Sequence, residues 1–109
     1  MPAIFVFTHD AMGDGEDGPT YQPVEHLASL RAIPGLVTFR PADRNEVVEA
    51  YRYVAQLRHR PAALVLSRQA LPTLDRQKYA PATGVSRGAD VLADSPGSEP
   101  ELILLATGS

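Results

Sequence analysis

The apolar run AALVL at residues 62–66 decides the fold of this chain. It follows the helix-breaking pair Arg60-Pro61 and ends at the polar Ser67. A strand that is apolar on both faces is typical of a parallel sheet, because helices cover both sides of such a sheet. The runs AIFVFT at residues 3–8 and LVTF at 36–39 predict two more strands, and we expect the first of them to be buried on both faces as well.

Two helices are predicted between these three strands. The first begins near Pro23, which a first helical turn accepts, and ends before Pro34. The second begins at Asp43, which with Glu46 resembles a capping box, and ends near Arg58. Its apolar stripe is predicted to contain Val47, Tyr51, Val54 and Ala55, with Tyr53 on the surface. The order β-α-β-α-β predicts an α/β fold with a parallel sheet and right-handed crossovers.

The pattern changes after Arg68. Residues 71–81 show no regular period, 85–93 are compatible with a strand, and 94–100 have the composition of a linker. Residues 101–106 (ELILLA) predict another strand, which the turn residues TGS follow. No covering helix comes after that strand, and the first strand begins almost at residue 1. We therefore expect this chain to be a segment of a longer protein.

Composition excludes several classes of protein. The chain has 109 residues, enough for one domain, with 44% hydrophobic and 21% charged residues, as in globular proteins. A net charge of −3 argues against nucleic acids and anionic membranes as partners. No apolar run approaches the ~20 residues of a membrane span, and no signal peptide is indicated. The absence of cysteine excludes disulfides, thiolate catalysis and cysteine-based zinc sites. A cytoplasmic protein fits these properties best.

Ligands of an open parallel sheet bind beyond the carboxyl ends of its strands, which here means residues 9–18, 41–43 and 67–68. His9 and the acidic residues of the first loop could transfer protons to a polar ligand or donate and accept hydrogen bonds. The alternative is a solvated acidic turn. These acidic residues are Asp10, Asp14, Glu16 and Asp17. Their spacing does not match a calcium loop, and no second histidine lies at zinc-ligand spacing from His9, so no metal site is predicted.

Arg68 directly follows the third strand, where its guanidinium could bind a phosphate or carboxylate through two parallel hydrogen bonds. The alternative is a surface arginine that pairs with Asp43 or Asp75. His26, in the first helix, and His59, in a basic turn, are expected to be structural or exposed to solvent.

A series of motifs in order and at the right spacing resembles the transketolases, over essentially the whole chain. They are THD (8–10), GEDGPT (15–20), QPVE (22–25), LASLR (27–31), RPAD (40–43) with NE (45–46), LSRQ (66–69), LP (71–72) and LLATGS (104–109). The resemblance implies an incomplete thiamine-diphosphate-binding fold. Residues 1–70 would be the later half of the pyrimidine-binding domain, 71–100 an interdomain connection and 101–109 the first strand of the C-terminal domain.

The resemblance also implies an activity, the transfer of a two-carbon ketol unit from a ketose phosphate to an aldose phosphate in the pentose phosphate pathway. The site lies between two subunits of a homodimer and uses thiamine diphosphate with magnesium or calcium. His9 and Arg68 would hold the sugar phosphate, and Asp17 would contact a substrate hydroxyl. A fragment of a related thiamine enzyme such as dihydroxyacetone synthase, whose same segment is similar, is the alternative within this class of enzymes. A non-catalytic module for interaction or dimerisation is the alternative outside enzymes.

Tyr21 departs from the family pattern, because the family has histidine after Gly-Pro-Thr. That histidine takes part in proton transfer near the cofactor, and a phenol exchanges protons poorly at neutral pH. The resemblance also places the catalytic glutamate and the domain that binds the diphosphate and the metal outside residues 1–109. No complete cofactor site is therefore expected here, and we predict that the isolated chain binds no cofactor and is inactive or associates with the missing segments.

Overall fold

The computed structural model describes residues 1–10, 18, 21–97 and 99–108. A helix lies between each pair of consecutive strands, and a short 3-10 helix follows the last strand. In chain order these elements are β1 (Ile4–Phe7), α1 (His26–Ala32), β2 (Val37–Phe39), α2 (Arg44–Val54), β3 (Ala62–Val65) and the 3-10 helix Ala82–Arg87. The predicted α/β class is confirmed.

The three strands form one parallel sheet in the order β1-β3-β2. Ile4 of β1 and Val37 of β2 both align with Ala62 of β3, so the three strands are in register. The central strand β3 is at most 4% exposed, as the run AALVL predicts. Because all three strands run in the same direction, their carboxyl ends meet at one edge of the sheet.

The prediction that β1 is buried on both faces is wrong for this chain. All four of its residues are 43–51% exposed. β1 is an edge strand whose main neighbour among the described elements is β3, so its side chains lack the cover that β3 receives. The apolar composition of β1 thus leaves an exposed hydrophobic surface on this side of the sheet.

The core lies between α2 and β3. Ala50 and Val54 of α2 pack with Ala62 and Leu64 of β3, and all four side chains are nearly inaccessible. The partly buried residues around them are Val37, Phe39, Tyr53, Leu57 and Val85. The buried residues of α2 are thus Ala50 and Val54, and the predicted stripe is displaced around the helix.

The two tyrosines of α2 exchange the places predicted for them. Tyr51 is 42% exposed, whereas Tyr53 packs against the core and makes an edge-to-face contact with Phe39. Their ring centroids are 5.4 Å apart, with an angle of 65° between the planes. Both changes follow from a rotation of α2 about its axis that turns Ala50 toward the sheet. The small side chain of alanine allows the helix to approach the sheet closely.

Asp43 caps α2 as predicted and also ties the following chain to this helix. Its Oδ1 accepts a hydrogen bond from the backbone N–H of Glu46 at 3.0 Å, while Glu46 Oε2 accepts one from the N–H of Ala42. Oδ2 of Asp43 accepts a hydrogen bond from the N–H of Leu74 at 2.9 Å, and Arg76 donates to Oδ1 at 2.8 Å. Residues beyond β3 are therefore anchored on the beginning of α2.

Two strands predicted after residue 80 are not formed in the described part of the chain. The 3-10 helix Ala82–Arg87 occupies the first third of residues 85–93, and Gly88 ends it with a φ of 86°. Residues 102–108 are irregular and pair with no strand. The strongly apolar residues Leu102–Leu105 are 73–93% exposed, since no described strand pairs with this segment. The assignment of residues 101–109 to a further domain stays a prediction.

Candidate functional site

The carboxyl edge of the sheet gathers polar residues from all three strands. Thr8, His9 and Asp10 follow β1, Arg40 follows β2, and Arg68 lies beyond β3. This arrangement follows directly from the parallel register, which brings residues more than thirty positions apart in sequence to the same end of the sheet.

An open groove of about 730 Å³ lies beside β1 at this edge. Its apolar wall includes Phe7 and Val65, while His9 and Tyr21 contribute polar groups, and His26 at the start of α1 joins them. The structure therefore brings together two of the predicted site residues, His9 and Tyr21. It also places His26, expected to be structural or exposed to solvent, at the same groove with an exposed side chain.

His9 is half-buried, and its ring is oriented by its neighbour in the chain. The hydroxyl of Thr8 lies 3.0 Å from Nδ1 of His9, which is hydrogen-bonding distance. A contact at Nδ1 leaves Nε2 as the ring atom available to a ligand in the groove. Tyr21 is 64% exposed, so its hydroxyl is accessible from the same space. These two side chains can donate and accept hydrogen bonds with a polyhydroxylated ligand.

Asp10 is not part of a solvated turn, the alternative considered for the first loop. Its side chain is fully buried, and Nε of Arg40 donates a hydrogen bond to its Oδ2 at 2.9 Å. The arginine is itself only 15% exposed. The sequence showed Arg40 as part of the RPAD motif but gave no sign of this pairing, since the two residues are 30 positions apart.

The remaining predicted site residues do not line this groove or lie outside the described residues. Asp14, Glu16 and Asp17 lie outside the described residues. Arg68 is exposed at the carboxyl edge and is not among the residues that line the groove. Asp43 and Asp75, the two carboxylates considered above as partners of Arg68, also make other contacts. Asp43 binds Arg76, and Asp75 Oδ1 accepts a hydrogen bond from the N–H of Gln77 at 2.9 Å.

The carboxylate of Asp43 has a pKa below its ordinary value. Burial raises the pKa of this carboxyl. Hydrogen bonds from the backbone N–H groups of Glu46 and Leu74, together with the Arg76 guanidinium, lower the pKa by more than burial raises it. The net pKa lies below the ordinary value of 3.8, so Asp43 is ionised near neutral pH. It lies at the start of α2, and its role is to hold α2 and the following chain together.

Comparison with known proteins agrees with the order of motifs and with the sheet. The family model described as "Transketolase, pyrimidine binding domain" matches residues 1–73. This chain belongs to the transketolase family. Transketolases from Halalkalibacterium halodurans and Aquifex aeolicus are 56% and 50% identical to it over 109 residues. The match covers 100% of this chain but 16% of each relative, so this transketolase segment spans a small part of their length.

Solved transketolase structures share its backbone arrangement. A transketolase variant from Pichia stipitis superimposes with a TM-score of 0.77 at 42% identity, covering 85% of this chain and 13% of that protein. The transketolase of Campylobacter jejuni gives a TM-score of 0.62 at 51% identity, covering 66% of this chain and 11% of that protein. The parallel sheet of the transketolase segment is therefore part of the thiamine-diphosphate-binding fold.

Membership of the family implies dependence on thiamine diphosphate. Within residues 1–10, 18, 21–97 and 99–108, no three histidine or carboxylate side chains lie close enough together to hold a metal ion. No helix in the described ranges is long and apolar enough to cross a membrane.

Proposed function

We propose that this chain supplies the substrate side of a transketolase site, in which a two-carbon ketol unit passes from a ketose phosphate to an aldose phosphate. His9 and Arg68 bind the sugar phosphate, Asp17 binds a substrate hydroxyl, and Tyr21 occupies the position of a proton-transfer residue. The observation that carries the proposal is the shared groove of His9 and Tyr21 at the carboxyl edge of the sheet.

The chemistry of this edge suits a phosphorylated sugar. An arginine guanidinium and an imidazole are good donors to phosphate oxygens, and the exposed Tyr21 hydroxyl suits a sugar hydroxyl. Transketolases of Pichia stipitis have been solved in complex with fructose 6-phosphate and sedoheptulose 7-phosphate. At 43% and 46% identity to those proteins, this chain is proposed to act on sugar phosphates of the same class.

The remaining parts of the site are proposed to come from outside these 109 residues. Thiamine diphosphate, held with magnesium or calcium by other segments, supplies the carbanion-stabilising chemistry when bound. A homodimer, or association with the missing transketolase segments, is proposed to cover the exposed apolar side chains of β1 and of Leu102–Leu105. A cytoplasmic location and a place in the pentose phosphate pathway are proposed together with this activity.

Tyr21 is proposed to make this site slow in its present form. An imidazole exchanges protons near neutral pH, whereas a phenol does so only at much higher pH. Losing one general acid–base group costs about 10²–10⁴-fold in rate. The Tyr21 hydroxyl can still orient a ligand by hydrogen bonding, so substrate binding is expected to persist when the rate is low.

The test is a graft of residues 1–70 into the complete Halalkalibacterium halodurans transketolase. We expect the graft to be slower than the host and Tyr21→His to raise kcat at least about 10-fold, equivalent to about 1.4 kcal/mol in the barrier. Tyr51→His is the matched control, because Tyr51 is also exposed but lies on α2 outside the groove. A graft that runs at the host rate and does not respond to Tyr21→His would show that position 21 transfers no proton.

The same graft separates the enzyme from the non-catalytic alternative. A graft that neither binds ketose phosphates nor gains activity from Tyr21→His would favour a module for interaction or dimerisation. A graft that binds ketose phosphate but is inactive until Tyr21→His restores turnover would support the proposed function. Calorimetric titration with a ketose phosphate measures the binding, and a coupled spectrophotometric assay measures the turnover.

A further inference from the structure

We propose that Arg40 is a positioning residue for sugar-phosphate binding, which fixes His9 through Asp10 and ties this loop to the segment Thr107–Gly108. This inference rests on the proposed function, in which His9 binds the phosphate. Arg40 lies at the carboxyl end of β2, outside the residues that line the groove. It acts on the ligand through its neighbours.

Arg40 holds Asp10 by both its side chain and its backbone. Nε donates to Oδ2 of Asp10 at 2.9 Å, and Nη2 donates to the backbone carbonyl of the same residue at 3.3 Å. Two bonds from one planar guanidinium define both the position and the orientation of Asp10. The Asp10 side chain is fully buried and that of Arg40 is 15% exposed, so water screens this ion pair only weakly.

Fixing Asp10 fixes His9, because the two residues share a peptide bond. Because Arg40 holds the backbone of Asp10, the backbone of His9 has little freedom to move. The imidazole can then move mainly by rotation about its own side-chain torsions. The hydroxyl of Thr8, at 3.0 Å from Nδ1, limits those torsions in turn. The ring is therefore pre-organised at the groove, which lowers the entropic cost of ligand binding.

The third donor of Arg40 connects this loop to a distant part of the chain. Nη1 donates to the backbone carbonyl of Thr107 at 2.7 Å, and Nη2 of Arg31 donates to the Thr107 hydroxyl at 3.1 Å. Thr107 is thus held by arginines from α1 and from the end of β2, although residues 102–105 before it are highly exposed. Thr107 is consequently attached to the carboxyl edge.

Gly108 adds an independent observation of close approach. Its φ of 72° favours glycine, and a Cβ built at this position would lie 2.5 Å from Nε of Arg40. The backbone passes so close to the guanidinium that any side chain at position 108 would displace one of them. Glycine here preserves the contacts of Arg40 with both Thr107 and Asp10.

The test uses the complete Halalkalibacterium halodurans transketolase carrying residues 1–109 of this chain and the Tyr21→His substitution. We expect Arg40→Met to raise KM for the ketose phosphate about 10-fold while kcat stays within about 3-fold, since the residue orients a binding group. Arg40→Lys keeps the charge and one hydrogen bond, so its KM should lie between the KM of the graft with Arg40 and that of Arg40→Met. Arg52→Met is the matched control, because Arg52 is 68% exposed and pairs only locally with Glu49.

Hydrogen exchange measured by mass spectrometry on the same proteins reports the tether directly. Peptides covering residues 8–10 and 104–108 should exchange at least about 10-fold faster in Arg40→Met than in the unmodified graft. Gly108→Ala retains Arg40 but crowds it, and we expect it to change KM and exchange in the same direction. It also provides a second variant if Arg40→Met fails to fold.

The results distinguish a failure of the proposed function from a failure of the role assigned to Arg40. If the unmodified graft does not bind ketose phosphate in calorimetry, the proposed function is wrong, and with it the role of Arg40. If the graft binds normally but neither Arg40→Met nor Gly108→Ala changes KM, Arg40 does not position the site. Faster exchange with unchanged KM would make Arg40 a purely structural residue and would overturn the inference as well.

Discussion

Replacing Asp43, the N-cap of α2, with alanine should destabilise this chain more than removing any single charged side chain within α2. The Asp43 side chain is fully buried and accepts hydrogen bonds from the N–H groups of Glu46 and Leu74 and from Arg76. Loss of the N-cap costs about 1 kcal/mol. Arg76 would lose its closer carboxylate partner and keep Glu46 at 3.5 Å, and since its side chain is 18% exposed we expect a cost of about 2–3 kcal/mol, below the range for fully buried pairs.

The two contributions give a loss of about 3–4 kcal/mol in the free energy of unfolding. Asp43→Asn keeps an oxygen for one backbone N–H but removes the charge, and about 1–2 kcal/mol is expected. Urea denaturation of the 109-residue chain, followed by far-ultraviolet circular dichroism, measures both. Glu49→Ala is the control, because it removes an exposed ion pair with Arg52 that contributes about 0.3–0.5 kcal/mol.

The pH dependence provides a second measurement on the same variants. Since the pKa of Asp43 lies below its ordinary value of 3.8, the associated stabilisation is fully present above about pH 4. It is lost as the pH falls through the lowered pKa of the folded chain. The difference in unfolding free energy between the unmodified chain and Asp43→Asn should therefore shrink below pH 4. A loss under 1 kcal/mol for Asp43→Ala, or a difference that persists at low pH, would refute this reasoning.

Two further predictions concern ligand binding. In the graft of residues 1–70, Arg68→Ala should raise KM for phosphorylated sugars at least about 10-fold and leave non-phosphorylated substrates unaffected, because charged hydrogen bonds to phosphate contribute about 1.5–3 kcal/mol. Arg58→Ala, another exposed arginine, serves as the control, and equal effects on both substrate types would contradict the assigned role. The isolated chain should give no saturable heat when titrated with thiamine diphosphate and magnesium, and micromolar binding would refute that prediction.

Local sequence patterns were sufficient for the elements whose formation depends on near neighbours. The run at residues 62–66 has apolar side chains on both faces, and β3 is buried on both faces as a result. Asp43 and Glu46 are three residues apart, the spacing that lets a side chain reach the N–H groups at the start of a helix. The order of strands and helices then required a parallel sheet, and with it a carboxyl edge that includes His9 and Arg68.

Tertiary structure alone decided which apolar surfaces are covered and which distant residues meet. β1 is as apolar as β3, yet it is exposed because it lies at the edge of the sheet and β3 lies at the centre. The rotation of α2 depends on how closely Ala50 can approach the sheet, which the spacing of its apolar residues does not determine. The contacts of Arg40 with Asp10 and Thr107 span 30 and 67 positions. No local period records such contacts, because they depend on where the chain returns in space.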